Sequence, residues 1–310
     1  MHKILKSHIE WLKQHNIPLN KWIAIEDRVY HGSPGISASG LKDIQKCPAL
    51  YKFKKDNYEP DSEKPETLIV GSAIHTFILE PEKFKETYIV APSNDKRKKE
   101  WKNFVMNIDE RDREKPILRK ESMDVMLGVK KSLCTVRDRY GTNIFQNLIH
   151  HPETKRERAI YTIDPNRGIL LKAKVDINYK GILFDLKSTK NAQHSLFIKD
   201  AANLGYDIQA AFYLKVVSLA KKKAKGFGFI GIEKKPPYLS NSILMERRDI
   251  TLASFLTEKL LDEYTFCVKN QLWYGYNGID KAKKYEPLMV SVPLPNWHRY
   301  SIEEMSGFTI

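Results

Sequence analysis

The chain has 310 residues, 42% hydrophobic and 29% charged, an ordinary globular composition with enough length to bury a substantial core. Its formal net charge of +14 favours polyanionic partners, because each phosphate met by Lys or Arg releases condensed counterions. No apolar run approaches the roughly 20 residues of a membrane helix, and Cys47, Cys134 and Cys267, widely spaced and without a CxxC pair, argue against a disulfide framework or a zinc ribbon.

Residues 1–35 read as a helical arm ending in the turn-forming His31-Gly32-Ser33-Pro34-Gly35, and residues 36–310 as a single domain. Lys3, Lys6, Glu10 and Lys13 interrupt the first apolar residues, so the start lacks the apolar core of a secretory signal and a cytoplasmic location is expected. Ser37 or Ser39 is placed to cap a helix from about Leu41. Thr67 to Leu79 is apolar almost all round and stopped by Pro81, which predicts a buried helix. Asn94 to Lys102 is a charge run, and Met123 to His150 a further amphipathic helical region.

After Glu157 the apolar period changes from helical to alternating. Strands are predicted over Ala159 to Ile163, Ile169 to Asn178 and Ile182 to Ser188, with turns at 164–168 and Lys180-Gly181. A helix over about Ala201 to Ala220, a strand over Phe227 to Ile232 and a helix over about Leu252 to Trp273 complete the chain before an aromatic-rich tail.

The chemistry is concentrated at the second hairpin. With a two-residue loop at Lys180-Gly181, Asn178 faces Leu183 and Asp176 lies opposite Asp185. Two carboxylates roughly 5 Å apart destabilise a sheet unless a positive group sits between them, and a divalent cation is the obvious candidate. Alternation puts Lys187 on the face of Asp185. Carboxylate oxygens completed by water and substrate phosphate suit Mg²⁺, which makes a bound water nucleophilic. On these residues alone, an ordinary surface hairpin with two acids and a base remains the alternative, and a loop of odd length would separate the aspartates.

The segments KVDI and FDLKS, in this order of elements, resemble the PD-(D/E)XK nuclease superfamily, with Asp176 at the first acidic position and Asp185-Leu186-Lys187 as the (D/E)XK triplet; Val175 stands where the superfamily motif has proline. Gly71-Ser72-Ala73-Ile74-His75 resembles the helix that supplies a ligand histidine in RecB-like nucleases, and Gln209 and Tyr213 resemble their QxxxY motif. Together with GSAIHTFILEPEKF, WYGY and LPNWH, the likeness to the RecE-like (exodeoxyribonuclease VIII type) nuclease group runs from about Ile36 to Trp297.

That resemblance implies an α/β fold with an α-β-β-β-α-β core, a central mixed sheet flanked by helices, and extra helices. It implies one or two Mg²⁺ ions, with Mn²⁺ as substitute, held by His75, Asp176, Asp185 and the Leu186 carbonyl. Lys187 would position the attacking water, with Gln209 and Tyr213 contacting substrate or Lys187. The implied activity is ATP-independent, 5′ to 3′ digestion of linear double-stranded DNA with free ends, leaving single strands for an annealing protein in phage-type recombination. A homo-oligomeric ring is also implied. An endonuclease on the same core and a non-catalytic DNA-binding recombination module are the alternatives, and a basic protein that binds another protein is the blandest one.

Glu157 could reach the metal or pair with a neighbouring arginine, while Glu80, five residues beyond His75, should fall off its helical face. Gly226 to Gly231 matches GxGxxG but lies in a predicted strand with no helix to receive a pyrophosphate. No GxxxxGK[ST] loop exists, so no ATP site is expected, and three scattered cysteines cannot complete an iron-sulfur cluster. Lys96 to Lys99 beside Trp101, Lys221 to Lys225, and the tail with Trp273, Tyr274 and Tyr276 are candidates for gripping phosphates and stacking bases.

Overall fold

The computed structural model describes residues 3–59, 65–137, 140–280, 286–287, 289 and 291–306. Five strands form the main sheet: β1 (Lys155–Asp164), β2 (Ile169–Tyr179), β3 (Ile182–Thr189), β4 (Gly226–Glu233) and β5 (Ser240–Leu244). They lie in chain order, antiparallel except for the parallel β3–β4 pair, so the sheet is mixed. The expected α-β-β-β-α-β order is present, and β5 extends it by one antiparallel edge strand.

Local chemistry sets the turns. Lys180 and Gly181 both have positive φ, 51° and 91°, as a two-residue hairpin loop requires, and Asn178 Oδ1 accepts the Gly181 N–H at 3.1 Å. The pairs Tyr179↔Ile182, Asn178↔Leu183 and Ile177↔Phe184 follow from that loop. At the β1–β2 turn, Asp164 Oδ1 accepts the Asn166 N–H at 3.0 Å.

The β3–β4 crossover is two helices, His194–Asn203 and Tyr206–Leu219, rather than one, because Gly205 breaks the run with a left-handed φ of 63°. Likewise the predicted 123–150 region divides into Lys120–Leu133 and Ile144–His150. Pro48–Asp56, Pro81–Thr87 and Asn296–Ser306 escaped the periodicity; in the first two a proline occupies the first turn, where its missing N–H is harmless. Ser37 caps Ala38–Lys46, its Oγ accepting the Gly40 N–H at 3.3 Å.

One sheet face packs on Ala38–Lys46, Tyr206–Leu219 and Arg247–Asn270, burying Val175, Leu183, Phe227 and Phe229. The opposite face packs on Glu66–Leu79 and Lys120–Leu133, burying Ile177, Leu186, Ile230 and Ile232. The arm helix Lys3–Gln14 buries Leu5 and Leu12 against Tyr161 and Leu170. Two glycines of the GxGxxG match serve packing in β4: a Cβ on Gly228 would lie 2.7 Å from the Ile243 carbonyl, and one on Gly231 2.7 Å from Asn241 Oδ1. Among the described residues, no helix is long and apolar enough to cross a membrane.

Strand alternation breaks at Asp176. Val175 belongs to one core face, yet Ile177, two residues on, belongs to the other. Across the β1–β2 ladder, between the pairs Arg158↔Val175 and Arg156↔Ile177, sits Glu157 with a left-handed φ of 47°. The two irregular residues therefore face each other where the sheet changes direction.

Candidate active site

His75, on the Glu66–Leu79 helix, meets this break. His75, Glu157 and Asp176 each present one ligand atom, all within 4.8 Å of one another, and His75 Nδ1 lies 3.5 Å from Asp176 Oδ2. The β2–β3 ladder stops at Ile177↔Phe184, one pair short of the two aspartates. Asp176 fills the gap, its Oδ2 accepting the Leu186 backbone N–H at 2.8 Å. Asp176 addresses His75, Glu157 and the Leu186 amide, and Asp185 the Gln209 side chain of the crossover helix, while the charge of Asp185 still bears on Asp176.

Burial, then the charges of Asp185 and Glu157, push the Asp176 carboxyl well above the usual range. Glu157 is also raised, by burial first, although Lys174 opposes this from 2.9 Å. Lys174 itself is shared with Asp27 from the arm. Burial lowers the His75 imidazole, which keeps it neutral with a lone pair to donate. Two half-buried acids that resist joint ionisation beside a neutral imidazole form a donor set that a divalent cation satisfies.

Asp185, on β3, is buried, and its Oδ1 accepts from Gln209 Nε2. The Lys187 ammonium stands 2.6 Å from Asp185 Oδ2, but no well-aimed hydrogen bond reaches that oxygen. Burial works against the Lys187 charge, but Asp185 and Asp176 outweigh it and raise its pKa, so the ammonium stays protonated. Tyr213, one turn beyond Gln209, stands edge-on to Phe227 with centroids 5.9 Å apart and lines the cleft.

The cleft is about 500 Å³, with His75, Glu157, Asp176 and Tyr213 on its walls. Asp185 lies outside the tight three-donor set, and Glu157 takes the third place; its position before the first strand was the only signal in the sequence. Glu80 also lines the cleft, contrary to the helical extrapolation, because it ends the helix with non-helical angles, φ −135° and ψ 59°. One stacking candidate is corrected as well. Trp101 is buried and so withdrawn from base stacking, and Trp273 is half-buried with one face stacked on Tyr51.

A family model described as a PDDEXK-like domain of unknown function (DUF3799) matches residues 37–283. Among solved structures, a Eubacterium rectale protein provisionally designated an exonuclease is similar in fold, with a TM-score of 0.53 and 16% identity over 91% of this chain and 96% of that one. No curated protein matches the chain.

Proposed function

The chain belongs to the PDDEXK-like family, and from that premise we propose that it is a divalent-metal-dependent deoxyribonuclease, an ATP-independent exonuclease on linear double-stranded DNA. The observation that carries this reading is the convergence of His75, Glu157 and Asp176 at the break in the sheet, beside the Asp185–Lys187 pair. Mg²⁺ is the proposed ion, with Mn²⁺ as substitute given the imidazole donor. When bound, such an ion polarises the scissile phosphate and acidifies a water.

His75, Glu157 and Asp176 would hold the ion, with Asp185 and the Leu186 carbonyl completing the oxygen side. Lys187, kept protonated by its two acidic neighbours, would orient the water and offset charge developing on the phosphate, a role that suits an ammonium better than proton abstraction. Gln209 fixes Asp185 by its side-chain hydrogen bond. Tyr213 offers a hydroxyl that burial holds in its protonated, donor form. The net charge of +14 supports a polyanionic substrate.

The likeness of KVDI, FDLKST and the Gln209/Tyr213 helix to RecE-like nucleases supports the finer reading: 5′ to 3′ digestion that yields single strands for an annealing partner, by a ring of subunits, in phage-type recombination. The test is incubation with linear and covalently closed circular duplex, with Mg²⁺ or EDTA and without ATP. Mg²⁺-dependent loss of linear DNA alone is expected. Cutting of circles would replace the exonuclease by an endonuclease, and no cleavage of either would sink the enzymatic reading.

A further inference from the structure

The contact between Lys187 and Asp185 leaves the ammonium poorly defined in direction. It is close, 2.6 Å from Oδ2, yet that oxygen has no hydrogen bond of good geometry. An ammonium on a four-carbon stem is a rotating point charge, so one carboxylate does not fix where it points. Something else must define its other side.

That side is the ring of Tyr206. The Lys187 Nζ lies 4.8 Å from the ring centroid, inside the range of roughly 6 Å over which an aromatic face attracts a cation. The ring is itself held rigid: it stacks on Phe229, with centroids 5.2 Å apart and planes 27° from parallel, and Phe229 is buried in β4. Tyr206 is the first residue of its helix, and the left-handed Gly205 before it sets the direction in which the ring leaves the backbone.

A second ammonium uses the same ring. Lys42, from the Ala38–Lys46 helix, places Nζ 5.6 Å from the Tyr206 centroid and donates to the Leu204 carbonyl at 3.2 Å. Its stem passes where a Cβ on residue 205 would stand, 2.9 Å from Lys42 Cδ, so only glycine at 205 leaves this space open.

We infer that Tyr206 is a positioning residue for Lys187: its ring face is the platform that holds the ammonium against Asp185. The catalytic consequence rests on the nuclease reading above; the placement of the ammonium does not. The phenol oxygen has no part in this, so phenylalanine should serve equally well.

The experiment uses the full chain with Tyr206→Phe and Tyr206→Leu, and Tyr206→Met as a second non-aromatic replacement should leucine disturb folding. Two readouts are taken. The first is kcat and KM for Mg²⁺-dependent release of nucleotides from linear duplex. The second is the Lys187 ε-methylene resonance in ¹³C-lysine-labelled protein without metal or DNA, assigned by its loss in Lys187→Arg. Ring current should move that resonance upfield in the wild type and in Tyr206→Phe, but not in Tyr206→Leu. The phenylalanine variant should retain kcat within about twofold, and the leucine variant should lose about tenfold in kcat with KM unchanged.

Equal kcat in the leucine and phenylalanine variants, or a Lys187 resonance that ignores the substitution, would overturn the inference. If the wild type cleaves no DNA while the resonance behaves as expected, the nuclease reading fails and the aromatic platform stands.

Discussion

Asp176 Oδ2 serves two neighbours, accepting the Leu186 backbone N–H at 2.8 Å and facing His75 Nδ1 at 3.5 Å. One oxygen closes the sheet where the ladder ends and also addresses the candidate metal site. Asp176→Asn keeps an acceptor for Leu186 and removes the charge. Cleavage should fall by about 100-fold or more. The buried aspartate has its pKa raised above the ordinary 3.8, so its contribution to stability is fully present below that value and is lost as pH rises through the folded-state value. At neutral pH in EDTA the asparagine variant should therefore melt at or above the wild type. Mg²⁺ or Mn²⁺ should raise the wild-type midpoint and leave the variant's nearly unchanged. A cation-induced rise of equal size in both proteins would remove Asp176 from the site.

Lys187→Ala separates chemistry from binding. The ammonium contacts Asp185 and lies within the charge field of Asp176, but it is one basic group among 52 Lys and Arg residues. Its loss should lower kcat on the order of a thousand-fold while the dissociation constant for a duplex, measured by fluorescence anisotropy in Ca²⁺, changes little. Full activity in the alanine variant would refute its assignment.

The first helix carries an acid-sensitive group remote from the cleft. Burial, followed by the charges of Lys55 and Lys172, brings the His8 imidazole from 6.5 down to about 4. The unfolded chain takes up this proton first, so the contribution of His8 is complete above pH 6.5 and is lost as pH falls through 4. The thermal midpoint should drop across that window, and less steeply in His8→Gln. Parallel midpoint curves for the two proteins would exclude His8 as the cause.

Arg167 ties the β1–β2 turn to the Arg247–Asn270 helix. Its guanidinium lies 2.9 Å from Asp164, 2.8 Å from Glu258 and 2.8 Å from Asp262, and Asp164 is 1% exposed. Arg167→Met would leave the buried Asp164 with its backbone N–H donors but with Lys215, more distant at 3.6 Å, as its cationic partner. A loss of about 3 kcal/mol in urea unfolding is expected, because one partner of a buried pair is removed while the other stays. Wild-type stability would show that the network is neutral.

What the sequence made legible follows from how local each cause is. The hairpin register was readable because two turn residues set it, and Asp185 and Lys187 were readable because they alternate on one regular strand. His75 was reached only through its resemblance, since an isolated histidine on an apolar helix carries no chemical label. Glu157 was legible only as one of two possibilities, a metal residue or the partner of a neighbouring arginine, because its left-handed backbone and its place across from Asp176 depend on packing on both sides of the sheet. Trp101 misled for the opposite reason, because an aromatic residue beside lysines looks the same in sequence whether it faces solvent or core. Gly205 was visible as a glycine, but its role in splitting the crossover and seating Tyr206 appears only when Lys42 is brought alongside.

The backbone of Glu157 sets folding and chemistry against each other at a single residue. A left-handed conformation in mid-strand costs a non-glycine residue about 1 kcal/mol, and glycine would relieve it without disturbing either core face. A population of variants screened for heat resistance alone should therefore drift towards glycine at 157 and discard a cleft carboxylate as it does so. Persistence of glutamate there under such pressure would show that its ion pair with Lys174 outweighs the backbone strain, and its disappearance would make this strand an early casualty of thermostabilisation.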